Sequence, residues 1–295
     1  MPHPAFQKVT IFGIGLIGGS FALALKAAGA VGEIVGIDRD PNNLRRALDR
    51  GVITRAESDP AKAIQGADIV LLAMPVGQMA HVMQAISPHL AATTIITDAG
   101  STKQDVVRLA LEHLSAHVSR FVPAHPIAGA EKSGVDAADP DLFRGKNLVL
   151  TPLAETSPAA LELIAKAWEL CGMSIRRMPA AIHDQVFAAV SHLPHLLAFA
   201  LVEELAGRAD ADEFFRYAAG GFRDFTRIAS SSPEMWRDIC LANRDALVRE
   251  LENYQEQLHD LRRMLLDGDD QALEALFERA RRARNEWLAR SDVAQ

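Results

Sequence analysis

Along the first 178 residues, short runs that are apolar on both faces alternate with stretches of helical spacing. The runs at 9–12, 33–37, 67–73, 94–97, 120–123 and 147–150 read as strands, the third containing Ile69-Val70-Leu71-Leu72. A strand apolar throughout belongs in a sheet covered on both sides, and strands alternating with helices build a parallel, doubly wound sheet. After Met178 the strand signals stop. Residues 182–205 have a helical pattern, with Pro194 predicted to kink or break it. Ser232 before Pro233 reads as an N-cap followed by proline at the first helical position. Beyond it, Leu247, Leu251, Tyr254, Leu258, Leu261 and Leu265 recur at spacings of four and three. Such a heptad-like seam serves either an intramolecular core or a subunit interface. Residues 267–270 end that helix, and a last helix carrying Leu273, Leu276, Phe277 and Trp287 runs to about residue 290. The expected domains are an α/β unit over residues 1–178 and an all-helical unit over 179–295.

One stretch gives the α/β half a ligand. Gly13-Ile14-Gly15-Leu16-Ile17-Gly18 fits G-x-G-x-x-G, follows the first predicted strand and opens a helix. Asp38 lies twenty residues past Gly18, at the end of the second strand. That combination predicts a Rossmann-type dinucleotide site. Gly13 allows a tight turn, Gly15 lets the backbone approach a pyrophosphate, and Gly18 lets helix and strand pack closely. The free N–H groups of Leu16 and Ile17 and the helix dipole face the phosphates. Asp38 accepts hydrogen bonds from ribose hydroxyls and repels a 2′-phosphate, which favours NAD over NADP. Arg39 beside it pulls the other way, since an arginine there can hold the phosphate. Met74 and Pro75, after the third strand, sit where the cofactor crosses the carboxyl edge of the sheet.

Composition narrows the class further. With 295 residues, 49% apolar and 23% charged, the chain can bury the cores of two domains. A net charge of −7 makes nucleic acid or an anionic membrane an unsuitable partner for the chain as a whole. The two cysteines, Cys171 and Cys240, form no CxxC pair and no metal-ligand spacing, so reduced thiols and no metal are expected. The first eight residues lack the apolar run of a signal peptide, and no stretch of about 18 uninterrupted apolar residues occurs. A cytoplasmic protein with no membrane span is therefore expected. No H-E-x-x-H, Walker lysine or G-x-S-x-G motif is present.

Reactive side chains gather in four segments: residues 98–103 (DAGSTK), 125–134 (HPIAGAEKSG), 191–195 (SHLPH) and 220–227 (GGFRDFTR). A dehydrogenase needs a group that shares the proton of a substrate hydroxyl as hydride leaves the carbon, and histidine suits this near neutral pH. His125, after a strand at the cofactor edge, is the first candidate; the alternative is that it caps the turn before Pro126. His195 lies one helical turn from Ser191, so the two can face one ligand, unless the ring is structural. Arg227 can pair bidentately with a carboxylate, either of a substrate or of a neighbour such as Asp224.

Together these segments and GIGLIGGS at 13–20 resemble the prephenate dehydrogenase family, including its arogenate and cyclohexadienyl members, from residue 13 to about 236. The resemblance implies NAD-dependent oxidative decarboxylation of a cyclohexadienyl alcohol to an aromatic phenol, in tyrosine biosynthesis. It implies that His125 and Ser101 bond the ring hydroxyl, with Ser101 also contacting the nicotinamide side. It implies that Arg227 holds a substrate carboxylate and that His195 and Ser191 line the pocket. Glu131, Gly221, Asp224 and Trp236 match pocket or gating positions, the second and last of which can come from a partner subunit. The helical half becomes a dimerisation domain, and a homodimer is expected. Neither an ACT-like regulatory segment nor a chorismate mutase segment is expected. The competing enzyme class is a β-hydroxyacid dehydrogenase or imine reductase, which shares the Rossmann-plus-helices plan.

Overall fold

The structure is a computed structural model that describes residues 4–130 and 132–293. Nine strands and thirteen α-helices occur among them: β1 (Phe6–Phe12), α1 (Leu16–Ala27), β2 (Val31–Ile37), α2 (Pro41–Asp49), β3 (Arg55–Ala56), α3 (Pro60–Ile64), β4 (Ile69–Leu72), α4 (Met79–Ile86), β5 (Ile95–Asp98), α5 (Gln104–His113), β6 (Phe121–Val122), β7 (Ala124–Pro126), β8 (Asn147–Leu150), α6 (Pro158–Leu170), β9 (Ser174–Arg177), α7 (Ala180–Phe187), α8 (Leu193–Ala206), α9 (Ala211–Arg216), α10 (Gly220–Thr226), α11 (Pro233–Ala242), α12 (Arg244–Asp267) and α13 (Asp270–Val293).

Six strands form one parallel sheet in the order β3-β2-β1-β4-β5-β6. Every residue of β4 is buried, because alternate side chains enter different cores. Ile69 and Leu71 join the layer under α1 and α6, where Phe21 and Phe143 pack on Trp168. Val70 and Leu72 join the layer under α4 and α5. The strand order reverses between β1 and β4, and the crevice at their carboxyl ends is where such sheets bind ligands.

Two expectations need correction. The segment at 147–150 is a strand, but not of the parallel sheet. It pairs antiparallel with β7 and parallel with β9 in a separate three-stranded sheet. The run expected at 120–123 is also divided: β6 ends the large sheet, and after Pro123 the chain enters β7 of the small one. An apolar run reports burial, not which sheet it joins.

Pro194 falls in the first turn of α8, and the preceding Ala188–His192 turn is π-helical. A wider turn meets the missing proline N–H without ending the run. The Ala180–Ala206 run is long and apolar enough to cross a membrane by length and composition alone. It carries His183 and Asp184, both buried, but only 28% of its apolar window is buried in the single chain, and Ile182, Val186 and Val190 are exposed. Ser232 accepts from the Met235 N–H as the N-cap of α11.

Compactness divides the chain between residues 244 and 245 rather than at the change of pattern after 178. The reason lies in bonds from α7 and α11 to the sheet half, such as those of Asp184 with the backbone of Lys103 and Gln104. In the second unit, α12 leaves Tyr254, Leu258 and Leu265 exposed, and α13 leaves Phe277 and Trp287 exposed.

Candidate active site

The nucleotide loop has the geometry its spacing predicts. Gly13 adopts φ +90°, and a side chain there would meet the Ala73 carbonyl oxygen at 2.7 Å. A side chain on Gly18 would collide with the Gly13 carbonyl oxygen, so α1 can sit this close to β1 only with glycine at that position. Nothing lies within 4 Å of where a Gly15 side chain would begin. Gly15 caps α1 without a side-chain hydrogen bond, and no acidic residue occupies the first turn. The N–H groups at Leu16 and Ile17 therefore remain for an anion. Asp38 accepts from the Ile14 N–H and Asn43 Nδ2 at Oδ2, and from the Asp40 N–H at Oδ1. These bonds fix the carboxylate beside the loop, and Oδ1 keeps acceptor capacity. A dinucleotide fits this donor and acceptor set. Met74 and Pro75 lie half-buried in the loop after β4. Arg39 is engaged: its guanidinium pairs with both oxygens of Glu234 at 2.7 and 2.6 Å.

Beside the crevice lies a relay absent from the sequence-based reading. His125 Nδ1 is 2.8 Å from His183 Nε2, and His183 Nδ1 is 2.8 Å from Asp184 Oδ1. The carboxylate can only accept, so His183 carries its proton on Nδ1 and presents Nε2 as an acceptor. His125 must then donate from Nδ1, which leaves its Nε2 with a lone pair. The chain fixes a tautomer of His125 suited to accepting a proton. Asp184 is held in turn by the N–H groups of Lys103 and Gln104, each at 2.8 Å, at the start of α5. Burial opposes its ionisation, but His183 and those two N–H groups hold the carboxyl below its ordinary value. Phe187 packs against both rings, with centroids 4.8 and 4.4 Å away.

Burial, then the neighbouring charges of His183, Lys103 and His192, hold His125 well below the ordinary histidine value. Lys103 is itself fully buried, paired with Asp98 and donating to the Ala124 carbonyl at 2.9 Å. Asp98 also accepts from the Gly100 and Ala124 N–H groups. This pair pins the Ser101 loop and the strand bearing His125 to one anchor. His192 is brought down to about 4, chiefly by burial; its Nδ1 meets Asn243 Nδ2 at 3.1 Å, and Asn243 also donates to the Asp184 carbonyl at 2.8 Å.

The second cluster is carried by the helices. His195 Nδ1 donates to the Ser191 carbonyl at 2.8 Å, and its ring stacks on Trp236 at 3.7 Å. Burial and then the Arg227 charge lower its pKa, so Arg227 acts electrostatically on His195. Trp236 is buried. Gly221 and Asp224 lie on the exposed face of α10. Arg227 lines a cavity of about 370 Å³ with Phe222, Arg223 and Thr226. Glu131 lies outside the described residues.

The neutral histidines set a pH dependence. His125, His183, His192 and His195 all have folded pKa values lowered from 6.5. Just below pH 6.5 the unfolded chain binds more protons than the fold, so stability complete above that pH is lost as pH falls. Tm is expected to decline steadily between about pH 6.5 and about 5, where histidine is the main titrating group. A level Tm across that window in a thermal scan would show that these rings take up protons as readily in the fold as in the unfolded chain.

The chain is similar to known proteins along most of its length. Residues 21–177 match the nucleotide-binding domain of prephenate dehydrogenase, and residues 179–279 its dimerization domain. A cyclohexadienyl dehydrogenase from Zymomonas mobilis is 38% identical over 283 residues, covering 95% of each chain. A prephenate dehydrogenase from Bacillus subtilis is 36% identical over 277 residues, covering 93% of this chain and 74% of the relative. The crystal structure of prephenate dehydrogenase from A. aeolicus in complex with hydroxyphenyl propionate and NAD+ superimposes with a TM-score of 0.89 at 37% identity. That match covers 95% of this chain and 98% of the other.

Proposed function

The chain belongs to the prephenate dehydrogenase family, and we propose that it catalyses the NAD-dependent oxidative decarboxylation of prephenate to 4-hydroxyphenylpyruvate and CO₂. The observation that carries this reading is the Asp184–His183–His125 chain, which leaves a lone pair on His125 Nε2 next to the carboxyl end of β5, where Asp98 accepts from the Ala124 N–H. NAD, held by the Gly13–Gly18 backbone and Asp38, supplies the hydride acceptor. His125 Nε2 accepts a hydrogen bond from the ring hydroxyl and raises electron density at the carbinol carbon. As that carbon's C–H electron pair leaves, the ring C–COO⁻ bond breaks and its electrons enter the ring. The phenol keeps the hydroxyl proton, so no net proton is required. Aromatisation supplies the driving force, and the protein's contribution is orientation and polarisation.

Ser101, pinned by the Asp98–Lys103 anchor, adds a second contact to the hydroxyl. Arg227 takes a substrate carboxylate, with His195, Ser191 and Trp236 as the pocket wall and Gly221 and Asp224 at its entrance; by the family resemblance Glu131 has a pocket or gating role. Residues 1–178 bind the nucleotide; residues 179–295 complete the substrate pocket and dimerise, giving a homodimer. Free cysteines at 171 and 240 suit a cytoplasmic enzyme.

The test is NADH formation by the purified chain with prephenate, arogenate and 3-hydroxyisobutyrate. Prephenate or arogenate should be turned over and 3-hydroxyisobutyrate should not. Turnover of the last alone would assign the β-hydroxyacid class instead.

A further inference from the structure

Glu234 stands in the first turn of α11, behind the Ser232 cap and Pro233. Its carboxylate reaches away from its own helix. Both oxygens accept from Arg39, and Gln78 Nε2 lies 3.5 Å from Oε1. Arg39 directly follows Asp38 at the carboxyl end of β2, and Gln78 belongs to the turn after β4. Glu234 therefore spans the two loops that flank the nucleotide crevice. Its position is enforced nearby, because a side chain on Gly77 would collide with the Asp238 carboxylate of the same helix.

An arginine next to the ribose-binding acid is the group that can hold a 2′-phosphate. Here both terminal guanidinium nitrogens are already committed to a carboxylate. A 2′-phosphate would have to displace Glu234, and its charge would then face Asp38 and Glu234 together. A bare 2′-hydroxyl meets neither obstacle. Resting on the dehydrogenase reading above, we propose that Glu234 is a specificity-determining residue: by occupying Arg39 it excludes NADP. This is discrimination by an element placed against the wrong ligand rather than by a better contact to the right one.

The test uses the full chain as wild type, E234Q, E234A and the double variant R39Q/E234A. NADH and NADPH dissociation constants are read from nucleotide fluorescence, and NAD- and NADP-linked turnover is measured with prephenate. Both single variants should tighten NADPH about tenfold and leave NADH within about twofold, the gain corresponding to one charge-assisted hydrogen bond. The double variant should return NADPH to the weak binding of the wild type. Single variants that bind NADH normally but show no gain for NADPH overturn the proposal, as does a gain that survives the loss of Arg39. Nucleotide binding needs no prephenate. A wild type that binds NADH but turns over neither prephenate nor arogenate therefore refutes the dehydrogenase reading separately.

Discussion

Replacing His125 with asparagine is expected to leave a folded protein that binds NAD and loses at least about a hundredfold in kcat, the scale of a general-base contribution. The reason is the fixed tautomer. Asp184 can only accept, so His183 donates from Nδ1, and His125 donates from its own Nδ1 to His183 Nε2. Asparagine in place of His125 has no ring nitrogen to set opposite the substrate hydroxyl. A His183→Asn variant separates positioning from chemistry. His125 would keep its Nε2 but lose the partner that holds the ring, so kcat should fall less than in His125→Asn. Single-turnover and steady-state rates across the pH range read both effects. An unchanged kcat in His125→Asn would remove that residue from the reaction, and an unchanged kcat in His183→Asn would remove the relay.

The second large effect is expected from replacing Leu251 and Leu258 together with aspartate. Both lie on α12, whose apolar seam the single chain covers in part: Leu247 is buried and Leu251 and Leu261 half-buried, while Leu258 is 47% and Leu265 68% exposed. Full burial of one leucine side chain contributes roughly 2 kcal/mol. A twofold dimer counts each position twice, so four leucines are lost and four charges are introduced. That weakens association by several powers of ten. The wild type should sediment at about twice the 32.0 kDa chain mass, and the double variant as monomer or unfolded chain, without activity. A fully active wild-type monomer would refute the interface and any dependence of the site on it.

The sequence by itself determined what depends on local spacing. The glycine loop, the helix it opens and Asp38 all lie within one strand–helix–strand unit, so their geometry follows from the order of neighbouring residues. The Ser232 cap was legible for the same reason, and Pro194 marked where the helix departs from α geometry. The buried character of β4 followed from its apolar run. What only the tertiary structure decided are contacts that join distant segments. His183 and Asp184 read as ordinary polar residues on a helix. They become part of a proton-handling chain only because folding sets His183 against His125, 58 positions away, and Asp184 against Lys103, 81 positions away. Arg39 read as a residue able to hold a 2′-phosphate, against the NAD preference set by Asp38; folding brings Glu234 across 195 positions to occupy it. The placement of β8 in a second sheet was hidden likewise, since hydrophobicity along a strand records that it is buried, while its partner is chosen by the path of the whole chain.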